Sequence, residues 1–304
     1  MIESQPLLDT QTPSEHGPTG QEPSGEAQQP HLVIRASSGW AALDLKQIWL
    51  YRDLLMTLAS RDVKLRYRQT ALGVVWVILQ PLVAAGIFSF VFGTVAGFPS
   101  EGVPYIVFAY AGQLAWNAFS STVTKSSAVL VANSGLISKV YFPRLVLPLS
   151  TVPSTLLDFA VALGMMAVLM VIYGIAPGLG ILLLPLWLGL ILMLSVGIGL
   201  YTSALMVSYR DVQYILPVVT NMLLYASPVA YSASFAISKV PQNLRAYYFL
   251  NPLSGLLEAF RWSMIGRGEL NWGYIAYSAV FAILIFIGGA FSFKKMERKF
   301  ADVI

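Results

Sequence analysis

The chain of 304 residues contains no cysteine. That absence removes disulfides, thiolate metal sites and cysteine nucleophiles together. Histidine is almost missing too: His16 and His31 are the only two, and both precede the first apolar segment. A buried imidazole base or a histidine-ligated metal therefore has nothing to build on. Charged residues make up 11% of the chain, against about 25% in an ordinary soluble domain. No pair of carboxylates falls inside an apolar segment. The strings G-x-x-x-x-G-K-[ST], H-E-x-x-H and G-x-S-x-G are all absent. These gaps exclude ATP binding through a phosphate loop on this chain and the commonest hydrolase centres. The expectation is a chain with no catalytic residue, no metal site and no cofactor of its own.

Apolar residues are abundant instead, at 56% of the sequence with a mean hydropathy of +0.67. The net charge of +4 collects at the ends of apolar runs rather than on one polar face, which argues against nucleic acid as a partner. The block Arg61-Asp62-Val63-Lys64-Leu65-Arg66-Tyr67-Arg68-Gln69-Thr70 precedes an apolar run from Ala71 to Phe98. Such a run is long enough to cross a bilayer, and cations gather on the cytoplasmic side of membrane helices.

Three regions follow from this pattern. Residues 1–38 are rich in Pro, Gln, Ser, Thr, Gly and Glu, and Arg35 is their only Lys or Arg. They read as a disordered cytoplasmic tail and not as a secretory signal. Residues 39–70 read as an amphipathic helix followed by the basic junction. Leu45, Ile48, Trp49, Met56 and Ala59 recur at helical spacing, which suits a helix lying in the headgroup layer or one packed on a partner. Residues 71–304 read as an all-α membrane domain of six transmembrane helices, near 71–97, 104–131, 146–173, 180–208, 214–231 and 272–293.

Loop charge sets the orientation. The loops 99–103 and 174–179 carry no Lys or Arg, whereas 132–144 holds Lys139 and Arg144, and Lys294-Lys295 closes the last span. Both termini are thus expected in the cytoplasm. Segment 232–271 falls outside by parity, although it carries Lys239, Arg245, Arg261 and Arg267. It reads either as two short re-entrant helices divided near 241–250 or as one surface helix with a loop. Asn251-Pro252 is a helix start, with Leu253, Leu256, Leu257, Phe260 and Met264 on one face.

Two intramembrane features bear on function. Asp158 is the one acid deep in a span; it either faces a watered pathway or pairs with Lys125. Tyr105, Phe108, Trp116 and Phe119 fall within roughly 80° of one another on a helix. Phe88 and Phe92 stand one turn apart, and Tyr225 and Tyr231 lie in the fifth span. These rings line a channel for sugars or serve as packing and interfacial belt.

Several strings resemble one family. The Arg61–Gly73 string running into Trp76-Val77-Ile78-Leu79-Gln80-Pro81-Leu82 resembles the start of the permease subunits of ABC exporters for polysaccharides, of the ABC-2 type. Leu136-Ile137-Ser138-Lys139-Val140-Tyr141-Phe142-Pro143-Arg144, Tyr209-Arg210-Asp211 with Ser227-Pro228-Val229, and Asn251-Pro252-Leu253 with Arg261 are similar to further motifs, in order, over about 45–300. The resemblance implies a homodimer working with an ABC ATPase in two copies, ATP and Mg being bound on that partner. It implies an interface helix over 41–60 and a coupling helix over 132–143, with Gly135, Leu136, Lys139, Tyr141, Phe142 and Pro143 seated on the ATPase. The cargo implied is a lipid-linked (undecaprenyl-diphosphate) polysaccharide such as O-antigen, leaving the bacterial inner membrane. Arg61, Lys64, Arg66 and Arg68 would meet its diphosphate, or serve topology alone. A drug or lipid exporter permease of the same architecture is the alternative.

Overall fold

The structure is a computed structural model that describes residues 45–68, 73–242, 245 and 250–297, without the side chains of 45–47, 66–68, 73 and 74. The tail 1–38, the first residues of the expected interface helix, Gln69 to Leu72, most of 243–249, and Arg298 with Lys299 lie outside the described residues. All regular structure among the described residues is helical.

Helix α1 (Leu45–Leu50) and helix α2 (Arg52–Arg68) precede α3 (Gly73–Phe88), which continues as a π-helix over Ser89–Val95. Next come α4 (Tyr105–Ala132), the single turn α5 (Ser134–Ile137), α6 (Val146–Leu149) and α7 (Thr151–Ile172). A 3-10 turn (Leu179–Leu183) leads into α8 (Leu184–Ser208), followed by α9 (Val212–Ala226) and α10 (Ala233–Lys239). The last two are α11 (Pro252–Ile265) and α12 (Trp272–Glu297). Four segments among the described residues are long and apolar enough to cross a membrane: Val75–Val95, Val146–Ile172, Leu179–Ser208 and Trp272–Glu297. Helix α4 has the length, about 42 Å at 1.5 Å per residue, but carries many polar side chains. Helix α9 is apolar and has only 15 residues, about 22 Å.

The expected fifth span, 214–231, is shorter in the structure. Its helix ends at Ala226, because Pro228 has no amide hydrogen and forces the residue before it out of the helical region; Ser227 is extended at φ −106°, ψ 151°. The last helix runs past the expected end to Glu297, where Lys294 pairs with Glu297 at 2.7 Å.

The core is organised around α4. From Val107 to Trp116 every residue is buried, since α3, α7, α8 and α11 all pack against this helix. Small residues let the helices approach. A Cβ at Gly199 would overlap the Ser126 side chain, and one at Gly289 would overlap the Gly197 carbonyl, so α8 packs closely on a small side chain of α4 and meets α12 backbone to backbone.

Helix α2 shows a face different from the expected one. Leu58 and Ala59 are buried, with Tyr51, Leu54 and Leu55 beside them, against Phe142, Leu145 and Leu147. Trp49 and Met56, expected on the same face as Ala59, point away and stay exposed at 71% and 57%. Trp49 lies on α1, before the break at Tyr51, and Met56 falls off the covered face of α2, which runs through Leu54, Leu55, Leu58, Ala59, Asp62 and Val63.

Candidate functional site

Three groups of side chains stand out, one at each end of the helices and one between. At the end carrying the Lys and Arg clusters, α4 ends at Ala132, and Asn133 stands between it and α5. The Asn133 Oδ1 accepts a hydrogen bond of 2.6 Å from the Arg61 guanidinium on α2, and its Nδ2 donates to the Val129 carbonyl. Within the expected 132–143 helix, Ala132 is the last residue of α4 and Ser134–Ile137 form one further turn; the chain then runs irregularly to Arg144. Gly135 is exposed with open space around it, Leu136 is half-buried, and Lys139 and Tyr141 are exposed, Tyr141 by 71%. Phe142 turns inward into the cluster of Leu58, Leu130 and Val146, and Pro143 is half-buried beside it. Arg144 donates to the Glu297 carbonyl at 2.8 Å. The segment is therefore pinned to α2 at its start and to α12 at its end, with an exposed tip between. Among the four cations expected to meet a diphosphate, Arg61 is engaged with Asn133 and Lys64 is exposed. Arg66 and Arg68 lie on α2, and their side chains are outside the described residues.

Within the helices, Lys125 Nζ lies 2.9 Å from Asp158 Oδ2, which joins α4 to α7. Ser154 Oγ and Thr155 Oγ1 stand 3.4 Å from the same ammonium. A paired ammonium and carboxylate are far cheaper at this depth than either ion alone.

At the opposite end, the non-helical segment between α9 and α10 threads between α4 and α11. Its residues Ser227, Pro228, Val229 and Ala230 are buried. A buried backbone without helix or sheet must find side-chain partners. Arg261, only 2% exposed, supplies two of them: Nη2 donates to the Pro228 carbonyl at 2.6 Å and Nη1 to the Tyr231 carbonyl at 3.3 Å. Its guanidinium carbon lies 4.1 Å from the centroid of the Phe108 ring, a cation–π contact out of water. The Tyr105 hydroxyl donates to the Ala230 carbonyl, and the Ala233 amide donates to the Glu258 carboxylate. Asn251 Nδ2 donates to Ser227 Oγ at 2.9 Å while its Oδ1 caps α11 at Leu253. Gly112 allows the Val229 carbonyl to rest on α4, where any Cβ would overlap it. Nearby, Arg267 donates to the Gly102 carbonyl at 2.7 Å. Glu101, at φ +56°, sits against Gly268. Burial pushes the Glu101 carboxyl above its usual range, and the Arg261 charge partly opposes that.

The expected channel aromatics divide. Phe108, Trp116 and Phe119 are buried at 0%, 4% and 2%, so within the protomer their rings meet side chains and no open path. Phe88, Phe92, Tyr105 and Tyr231 are half-buried, and Tyr225 is exposed. Phe88 and Phe92 meet edge to face at 5.7 Å, and the contacts continue through Phe98 to Phe235 on α10. The sequence reading missed the carbonyl-holding role of Arg261, because its partners lie 30 and 33 residues away. The signal available was a lone arginine on the apolar face of α11.

Residues 53–265 match the family described as ABC-2 type transporter. The chain is similar to the O-antigen export system permease protein RfbA of Klebsiella pneumoniae, 28% identical over 259 residues, 83% of this chain and 95% of that one. It is similar to the protein of the same description from Myxococcus xanthus, 29% identical over 71% of this chain and 82% of the relative. The polysialic acid transport protein KpsM of Escherichia coli is 27% identical over 75% and 88%. With most of its length covered by the family match, the chain belongs to the ABC-2 type transporter family.

Proposed function

We propose that this chain is the permease subunit of an ATP-driven exporter that moves a lipid-linked cell-surface polysaccharide from the cytoplasmic to the outer side of a bacterial inner membrane. The observation that carries the reading is the similarity to export permeases for O-antigen and polysialic acid along most of both chains. In this reading six segments cross the membrane, with α4 and α9 joining the four most apolar ones, and both termini are cytoplasmic. The end bearing Arg61, Lys139 and Lys294 faces the cytoplasm. Two copies of the chain assemble with two copies of a separate ATPase, which binds ATP and Mg.

The geometry of 133–144 supports a coupling role. An ATPase seated on Lys139 and Tyr141 would push a tip whose two roots are tied to α2 and α12, through Arg61–Asn133 and Arg144–Glu297. Lys64 and the basic end of α2 suit a diphosphate arriving from the inner leaflet. The test is the pool of lipid-linked glycan in cells lacking the chain, measured by mass spectrometry. The expected result is accumulation of the undecaprenyl-diphosphate glycan inside and loss of the surface polymer. An unchanged pool with normal surface polymer would reject the reading.

A further inference from the structure

The half of α4 nearest the basic end carries a polar face that the protomer leaves uncovered. Asn117, Ser120, Ser121 and Thr124 fall within roughly 100° on the helix, and Lys125 borders them. Thr124 and Ala128 are exposed, and Asn117, Ser120, Ser121 and Lys125 are half-buried. The hydroxyls on the other sides of the same turns behave differently. Thr122, Ser126 and Ser127 are buried and donate to the carbonyls of Ala118, Thr122 and Val123. Asn117, Ser120, Ser121 and Thr124 make no side-chain hydrogen bond among the described residues, so their donors and acceptors are open. One turn further along the same face stands Gln113. It is 7% exposed, and its Oε1 has no hydrogen-bond partner among the described residues.

A face of this kind does not suit hydrocarbon, where every open amide and hydroxyl is a cost. Nor does it suit an apolar cargo. It suits a hydroxyl-rich chain that exchanges hydrogen bonds as it passes. We propose that Asn117, Ser120, Ser121 and Thr124 form a carbohydrate-contacting rail on α4, bordered by Lys125 and ending at the covered Gln113, over which the exported polymer slides. This inference rests on the exporter reading above and names where that cargo touches the protein. The buried rings Phe108, Trp116 and Phe119 lie elsewhere on α4 or are covered, so the contact is made by amides and hydroxyls there. Weak, interchangeable hydrogen bonds suit a moving polymer, since no single sugar is held tightly.

The absence of cysteine makes the test direct. Thr124→Cys and Ser121→Cys are placed singly in the full chain, with buried Ser126→Cys and exposed, apolar-flanked Leu157→Cys as comparisons. Inverted membrane vesicles are prepared from cells that make the lipid-linked polymer and from cells blocked in its synthesis. A water-soluble, membrane-impermeant maleimide should label the Thr124 and Ser121 variants in polymer-free vesicles, and labelling should fall about tenfold when the polymer occupies the path. The other two variants should stay unlabelled throughout. Labelling of Thr124→Cys only by a membrane-permeant maleimide would place the face in lipid and overturn the proposal. A disulfide between two copies through Thr124→Cys would make the face a subunit seam and also overturn it. Equal labelling with and without polymer would overturn the contact alone if the parent chain still restores surface polymer to cells lacking it. Failure of that restoration marks the loss of the exporter reading instead.

Discussion

The guanidinium of Arg261 on α11 donates to the carbonyl of Pro228, 33 residues earlier, at 2.6 Å, while lying over the Phe108 ring of α4. Three elements distant in sequence are held by one side chain. Leaving a buried carbonyl without its donor costs about 1–3 kcal/mol. Arg261→Met should lower the thermal stability of the detergent-purified protein by several degrees. Arg261→Lys should recover only part of it, because an ammonium cannot fork across two carbonyls and stack on a ring. A melting temperature equal to the parent's in the Met variant would show that the clamp contributes nothing.

Gly112 and Gly164 make opposite forecasts for the same substitution. A Cβ at Gly112 would overlap the Val229 carbonyl, and backbone cannot rotate aside, whereas a Cβ at Gly164 meets nothing within 4 Å. Gly112→Ala should reduce the folded yield sharply. Gly164→Ala should be neutral or stabilising by about 0.5–1 kcal/mol. Size-exclusion profiles of the two proteins from matched cultures decide the matter.

Removing one member of the Lys125–Asp158 pair strands the other. Breaking a mostly buried pair typically costs about 3–5 kcal/mol. Asp158→Asn should be tolerated better than Asp158→Leu, since an amide still accepts from the ammonium. The double change Lys125→Met with Asp158→Leu should regain much of the loss. A double variant as unstable as the sum of the two single ones would rule out their coupling.

Neighbours in the expected coupling segment should separate two kinds of defect. Phe142 is buried, and Phe142→Ala should cost about 3–5 kcal/mol of stability. Tyr141 is exposed, so Tyr141→Ala should leave stability unchanged while weakening recovery of the ATPase with the permease. Co-purification measured beside thermal melting separates the two outcomes.

Glu101 links stability to pH. Its carboxyl is raised by burial in the folded chain, so the folded state favours the protonated form. That contribution is complete below the unfolded carboxylate value and disappears as pH rises through the folded one. Glu101→Gln should therefore stabilise the protein relative to the parent above this window and make little difference below it. Melting curves from pH 4 to 8 (roughly the range over which carboxylates and histidines titrate) read this directly.

Local signals were the readable part. Asn251-Pro252 begins α11 as expected, and Leu253, Leu256, Leu257, Phe260 and Met264 are all buried on its face. Gly266, at φ +69°, ends that helix in the left-handed conformation glycine favours. The possible Lys125–Asp158 contact was visible because two opposite charges in apolar runs have few other partners. What sequence spacing could not reveal was which side of α4 faces inward. A helical wheel orders side chains around an axis but does not show where α3, α7, α8 and α11 pack. The aromatic positions of α4 stand out on such a wheel, as channel lining or as packing, whereas the short polar side chains from Asn117 to Thr124 carry no signal there. The unwinding at Ser227 was likewise hidden in an apolar stretch, because its carbonyls are satisfied by distant side chains.

Two glycines of α8 stand in close contacts on different sides of the helix. Gly197 faces α12 and Gly199 faces α4, two positions apart on one helix and pressed on both sides. Inserting a single residue ahead of them would turn the following helix by about 100°, carrying Val196 or Ile198 into a gap that admits no side chain. The two glycines thus act as a ruler: relatives sharing this packing can vary in composition along α8, but their alignment through these two positions must be free of gaps.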